Sequence, residues 1–252
     1  EAGCEIVRMA IPDMQAVKVL GRLKENANIP LVADIHFDYK LALESLEAGV
    51  DKIRINPGNI GAKERVAAVA DACLKKNVPI RIGVNSGSVE KDLLQKYGGA
   101  TPEAMVESAF RHVRMLEECE FYNTIISIKS SDVKNMIEAY SLVAQRCDYP
   151  LHLGVTEAGT ERSSLIKSSI GIGSLLAQGI GDTVRVSITD DPVKEIYAAR
   201  ESNLVGISSA DLQKEIPGSV YCQTLPEVTE YLRRIVQPGD VVLTVGAGDI
   251  FR

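Results

Sequence analysis

The chain has 252 residues, 45% of them hydrophobic, and its 28 basic against 34 acidic side chains give a net charge of −6. That length supports one large α/β domain or two small ones with a sizeable core, and the acidic balance argues against non-specific nucleic-acid binding. No apolar run approaches the roughly 20 residues of a membrane span and no basic-then-apolar leader is present, so a cytoplasmic protein is expected.

In chain order, residue 1 opens inside EAGCEIVRMA, which reads as a helix end running into a strand, so the N-terminus is expected to be cut or rejoined. Strand-like runs follow at CEIVRMAI, IPLVADI, DKIRIN, VPIRIGVN, TIISIK, PLHLGVT and TVRVSIT. Between them MQAVKVLGRLKEN, YKLALESLEAG, AKERVAAVADACLKKN, PEAMVESAFRHVRMLEEC, DVKNMIEAYSLVAQRC and SSLIKSSIGIGSLLAQG place apolar residues at helical spacing. Apolar strands alternating with helices suit a parallel sheet covered on its outside. Each strand ends in a polar side chain, and no GxGxxG follows the first strand. That pattern favours an α/β fold of the (β/α)8 TIM-barrel type over a doubly wound sheet. Seven strands come from residues 1–195, and residues 241–246 of the run DVVLTVG are the candidate eighth. Residues 196–252 form a tail with strand candidates NLVGI, SVYCQ and DVVLTVGAGD and helices SSADLQKEI and LPEVTEYLRRIV. Its Gly246-Ala247-Gly248-Asp249 lacks a following helix to make a phosphate loop.

Five strand ends carry a cation: Arg8, Arg54, Arg81, Lys129 and Arg185. A buried charge is costly unless paired, and only the strand ends with Asp34 and Glu157 offer a carboxylate. The set therefore asks for a common anionic partner, and guanidinium forks suit phosphate oxygens. Asn56 and Asn85 lie on the same strand faces as Arg54 and Arg81, and Ser187 on that of Arg185. Asp34 and His36 share a face suited to a polyol or to proton handling. His112 and His152 read as structural. KSSIGIGSLL at 167–176 reads as a helix start with small hydroxyl residues near a phosphate. The five cysteines, Cys4, Cys73, Cys119, Cys147 and Cys222, show no CxxC and read as free thiols rather than metal ligands.

EAGCEIVRMAIPD, IPLVADIHFDYKLALESLEAGVDKIRINPGNIG, IRIGVNSGS, SIKSSDV, LHLGVTEAG and IGIGSLLAQGIGDTVRVSITDDP resemble, in this order, the 4-hydroxy-3-methylbut-2-enyl diphosphate synthases of the methylerythritol phosphate route to isoprenoids. The resemblance implies an oxidoreductase barrel that binds 2-C-methyl-D-erythritol 2,4-cyclodiphosphate. Arg8, Arg54, Arg81, Lys129 and Arg185 would hold the diphosphate, Asp34, His36, Asn56, Asn85 and Ser187 would add polar contacts, and Glu157 falls on the catalytic acid. It also implies a [4Fe–4S] cluster on a separate domain and flavodoxin or ferredoxin as electron donor. The cluster's cysteine pattern is not in this chain, so binding without turnover is expected. The tail, from EIYAARE onward, resembles the C-terminal end of UDP-N-acetylmuramate–alanine ligase, which makes a chimera one expectation; a tail packed as a separate lobe would leave the barrel edge exposed, which makes a homodimer another. A phosphosugar lyase or aldolase using Lys129 as a Schiff base is the alternative enzyme.

Overall fold

The computed structural model describes residues 3–199 together with Glu227, Glu230, Tyr231 and Arg234. The chain divides into two compact units, Glu1–Ala199 and Arg200–Arg252. In the second, the four described residues are helical and fall in the predicted helix LPEVTEYLRRIV. The remaining tail strands, the GAGD turn, Cys222 and the proposed closing strand 241–246 lie outside the described residues.

The first unit runs β1 (Val7–Ala10), α1 (Met14–Asn26), β2 (Leu31–Asp34), α2 (Tyr39–Glu47), β3 (Lys52–Ile55), α3 (Pro57–Ile60) and α4 (Lys63–Lys76). It continues with β4 (Ile80–Asn85), a 3-10 turn (Ser86–Ser88), α5 (Lys91–Tyr97), α6 (Pro102–Glu117), β5 (Thr124–Lys129), α7 (Val133–Ala144), β6 (His152–Leu153), α8 (Glu161–Leu176), β7 (Thr183–Val184) and α9 (Pro192–Ala199). All seven strands anticipated in this unit form, in parallel and in sequence order. β1 to β5 make one sheet and β6–β7 another, joined by a single bridge between Ile126 and Leu151. Among the described residues β1 and β7 have no outer neighbour, and Ile6, Val7 and Val184 are exposed there.

Asp13, Asp38, Thr101 and Asp132 cap α1, α2, α6 and α7, each accepting a backbone N–H of the first turn. Each cap is worth about 1 kcal/mol. The three aspartates closely follow β1, β2 and β5, so they start their helices beside the strands' C-terminal ends. Alternate strand residues Ile53, Ile55, Ile80, Ile82, Ile126 and Ile128 are fully buried beneath the helices, each contributing roughly 1.5–3 kcal/mol. The opposite faces carry Lys52, Arg54, Arg81, Gly83, Ser127 and Lys129. The interior is thus lined by polar and small groups where a barrel of this class is commonly filled with branched apolar layers.

The helix expected to begin at residue 167 begins at Glu161. Residues 167–176 therefore lie in its body, with Ser168 and Gly171 buried, and no free helix N-terminus is presented there. No helix among the described residues is long and apolar enough to cross a membrane.

Candidate active site

A cleft of about 290 Å³ opens at the C-terminal ends of the strands. It is lined by the expected Arg8, Asp34, His36, Arg54, Asn56, Arg81, Asn85, Lys129 and Arg185. It adds Asn59 and Ser88, from the NPGNIG and NSGS turns, and Phe37, Ser127 and Thr156, which the sequence reading passed over. Glu157 and Ser187 are not among its lining residues: Glu157 is exposed, one residue past Thr156, with φ 49°, and Ser187 is half-buried past β7. A larger open depression of about 510 Å³ lies on the outside, along α6 from Tyr97 of α5 to Arg146 after α7. There Glu107 accepts from Lys96 and Tyr97.

Strand register sets the charges side by side. Asp34 is level with Arg54, Arg54 with Arg81, and Asn85 with Lys129, on strands about 4.8 Å apart. Asp34, 1% exposed, pairs with Arg8, accepts from Arg54 Nη1 at 2.9 Å, and lies 3.5 Å from His36 Nε2. Burial works to raise the Asp34 carboxyl, and Arg54 and Arg8 outweigh it, holding it below the ordinary aspartate value. Arg185 is paired too, which the strand-end count of carboxylates did not foresee. Its Nε and Nη2 donate to Glu195 of α9 at 3.0 and 2.7 Å, and Glu195 also accepts from Ile188 N. Asp34 and Glu195 thus answer three of the five cations.

Arg81 and Lys129 have no carboxylate partner among the described residues. Arg81 is 6% exposed with its Nε unpartnered. Burial, then Arg8 and Arg54, push its guanidinium down to about 10. Burial, then the four surrounding arginines, push the Lys129 ammonium well below its ordinary value. Two glycines make room for this crowd. A Cβ at Gly83 would lie 2.4 Å from Arg54 Nε, and one at Gly154 would lie 2.9 Å from Arg185 O and 3.2 Å from Lys129 Nζ. These glycines are the signal that sequence reading missed: a glycine inside a parallel strand often marks close approach.

Two loops complete the wall. Asn56 Oδ1 accepts from Gly58 N at 3.1 Å, and Ser88 Oγ accepts from Asn85 N at 3.0 Å. Behind them His112, 2% exposed, places Nε2 3.3 Å from Glu90 Oε1, directly under Gly58. His152 is likewise buried, its Nδ1 2.7 Å from Thr183 Oγ1. Both histidines are structural parts of the wall.

Among the described residues no group of three or more His, Cys, Asp or Glu is placed to hold a metal. The described thiols Cys4, Cys73, Cys119 and Cys147 are all free, and burial raises Cys73 to about 12, far from the thiolate that iron–sulfur ligation needs. These residues do not fit a [4Fe–4S] cluster.

A cation-rich cleft at the C-terminal mouth of a parallel (β/α) barrel defines the class: an α/β barrel built to receive an anionic small molecule. Comparison with known families is specific. The family model described as "GcpE TIM-barrel domain" matches residues 1–200, and the chain belongs to that family. It is 57% identical over 222 residues to "4-hydroxy-3-methylbut-2-en-1-yl diphosphate synthase (flavodoxin)" of Brevibacillus brevis, covering 88% of this chain and 61% of that protein. It is 61% identical over 201 residues to the synthase of the same name from Clostridium perfringens, covering 80% of this chain and 58% of that protein. The chain thus spans about three fifths of the length of these relatives. The alignment with the Brevibacillus protein runs past residue 200, into the tail for which a ligase resemblance was expected; that resemblance is unsupported. Among solved structures, dihydropteroate synthase from Stenotrophomonas maltophilia matches with TM-score 0.51 at 14% identity, over 78% of this chain and 80% of that one. The HMG-CoA lyase from Brucella melitensis also matches with TM-score 0.51, at 12% identity, over 92% of this chain and 78% of that one. At such identities the likeness is one of fold alone.

Proposed function

We propose that this chain is the substrate-binding barrel of a methylerythritol-pathway synthase and takes 2-C-methyl-D-erythritol 2,4-cyclodiphosphate into the strand-end cleft. The observation that carries this reading is the pair Arg81, buried, and Lys129, half-buried, cations without a carboxylate partner among the described residues, flanked by Arg8, Arg54 and Arg185. A diphosphate supplies the missing negative charge, with about 1.5–3 kcal/mol for each charge-assisted hydrogen bond. Asn56, Asn85 and the Asp34–His36 pair stand ready for the polyol, and Ser187 adds a contact after β7. Glu157, beside the lining residue Thr156, is assigned the acid that protonates the departing hydroxyl. Its left-handed backbone conformation is the sort of local strain that clusters at functional sites.

Opening the cyclic diphosphate and removing the hydroxyl requires an electron pair. The described thiols do not form the cluster that would deliver it, so the described residues are assigned substrate binding and proton transfer, and the electron pair comes from outside them. The relatives are named as flavodoxin-type synthases, which makes flavodoxin the donor class for the complete enzyme.

Calorimetric titration of the folded 252-residue chain with the cyclic diphosphate tests the reading. A saturable single-site heat is expected, abolished in Arg81→Ala. No heat at millimolar ligand, with near-ultraviolet circular dichroism showing a packed core, would overturn it.

A second reading has one specific observation behind it: the lowered Lys129 ammonium is disposed to act as a Schiff-base nucleophile. Borohydride trapping with carbonyl phosphosugars separates the two, since an adduct on Lys129 is expected only of a lyase or aldolase.

A further inference from the structure

The parallel ladder between β5 and β6 contains a side chain. Ile126 N donates to Pro150 O at 2.9 Å, and further along Thr156 N donates to Ser130 O at 3.2 Å. Regular pairing between these points would set Ile128 N against His152 O. Instead Ile128 N donates to the Tyr140 hydroxyl at 2.9 Å, and that hydroxyl donates to His152 O at 2.5 Å. Tyr140 belongs to α7, is fully buried, and reaches the ladder from the outer, helix-covered side. Its insertion accounts for the break of the sheet at this place, where only the Ile126–Leu151 bridge joins its two parts.

On the inner side of the same stretch lies a second close approach, beside that at Gly83. The Lys129 stem crosses Gly154, where an added Cβ would meet Nζ at 3.2 Å, Cε at 3.3 Å and Arg185 O at 2.9 Å. Lys129 follows Ile128 and Gly154 is two residues after His152, so the spacer and the crowded lysine act on one strand gap. A phenol inserted in a ladder leaves the strands farther apart than a direct N–H···O=C bond would. A buried tyrosine has to place its hydroxyl somewhere, and here the place it takes costs the sheet a direct hydrogen bond.

We propose that Tyr140 is a positioning residue: its hydroxyl holds β5 and β6 apart and so sets the slot in which Lys129 lies over Gly154, facing the ligand. The idea rests on the reading of the cleft as an anion site, but the slot itself can be tested without any ligand. With the phenol oxygen gone, the ladder closes directly between Ile128 N and His152 O, the slot narrows, and the lysine head is driven toward the mouth.

The test uses the full chain with 13C-labelled lysine, so that the Lys129 signal is followed by NMR against pH in wild type, Tyr140→Phe, Gly154→Ala and the double variant. Tyr140→Phe and Gly154→Ala should each move the Lys129 titration toward higher pH, and their effects should be non-additive because both fill one slot. Titration with inorganic pyrophosphate should weaken about tenfold in Tyr140→Phe, equivalent to about 1.4 kcal/mol. Additive shifts, or a Lys129 titration unmoved in folded Tyr140→Phe, overturn the proposal. If Tyr140→Phe does not fold, Gly154→Ala alone decides. A fixed gap requires the Ile128 amide to stay protected from exchange while Lys129 moves; loss of Ile128 protection means the strands spread freely and refutes the spacer. Wild type that takes no pyrophosphate defeats the reading of the cleft, while the ligand-free titrations still judge Tyr140.

Discussion

Glu90 and His112 lie beneath the cleft, and what they do is legible as pH dependence. Burial works to raise the Glu90 carboxyl, and the nearby His112 and Ser108 donors outweigh it, holding it down to about 2. The folded value lies below the ordinary value of 4.5. Its stabilising contribution is therefore complete above 4.5 and lost as the pH falls through about 2, amounting to a few kcal/mol at most. Glu90→Gln should flatten the acid side of the urea-unfolding stability profile, with little change in slope above pH 6. Sequence alone left His112 as a structural histidine in mid-helix, which it is. The partner was hidden because Glu90 precedes a short helix 22 residues upstream, and nothing in the periodicity ties the two. Glu157 shows the opposite difficulty. Strand-end counting set it facing the cations, but at φ 49° its backbone leaves the extended path, so strand alternation does not fix the direction of its carboxylate.

At the level of elements, α9 carries the carboxylate that occupies Arg185. Glu195 ties that guanidinium through two hydrogen bonds and also accepts from Ile188 N. An incoming phosphate must therefore share or displace it. Glu195→Gln keeps an acceptor for Ile188 N and removes the competing charge. Pyrophosphate affinity should rise about threefold to tenfold, or roughly 1 kcal/mol, read by calorimetry. Unchanged affinity would mean that Arg185 stays out of the anion's reach. Strands and long helices were readable because period and length agree over many residues, as in MQAVKVLGRLKEN, which is α1 to the residue. The short helices α3 and α5 span less than two turns of pattern, too little for a moment to emerge. The pairing by Glu195 escaped because EIYAARE was read as the start of another family's tail.

Taken whole, the protein is acidic by six charges and yet gathers five cations around one cleft. The exterior repels a polyanion at long range, and the interior attracts it once it is inside, where salt screens less. An empty cleft stores like-charge repulsion, so ligand should stabilise the fold. At a hundredfold excess over Kd the gain is about 2.7 kcal/mol. Differential scanning fluorimetry should show melting raised by pyrophosphate, less by orthophosphate, with the difference surviving 150 mM salt. Melting insensitive to both anions would argue that the cluster is answered internally. The glycine at position 83 carries this interior into the language of descent. With Arg54 in place, any side chain at 83 meets the guanidinium at 2.4 Å, so the two positions share one allotment of volume. Change is permitted in one order only: a lineage can abandon the arginine and later fill the glycine, but the glycine cannot go first. A descendant that has lost anion binding should therefore betray it by a bulkier residue at 83, and reversing Arg54 alone would not bring the function back.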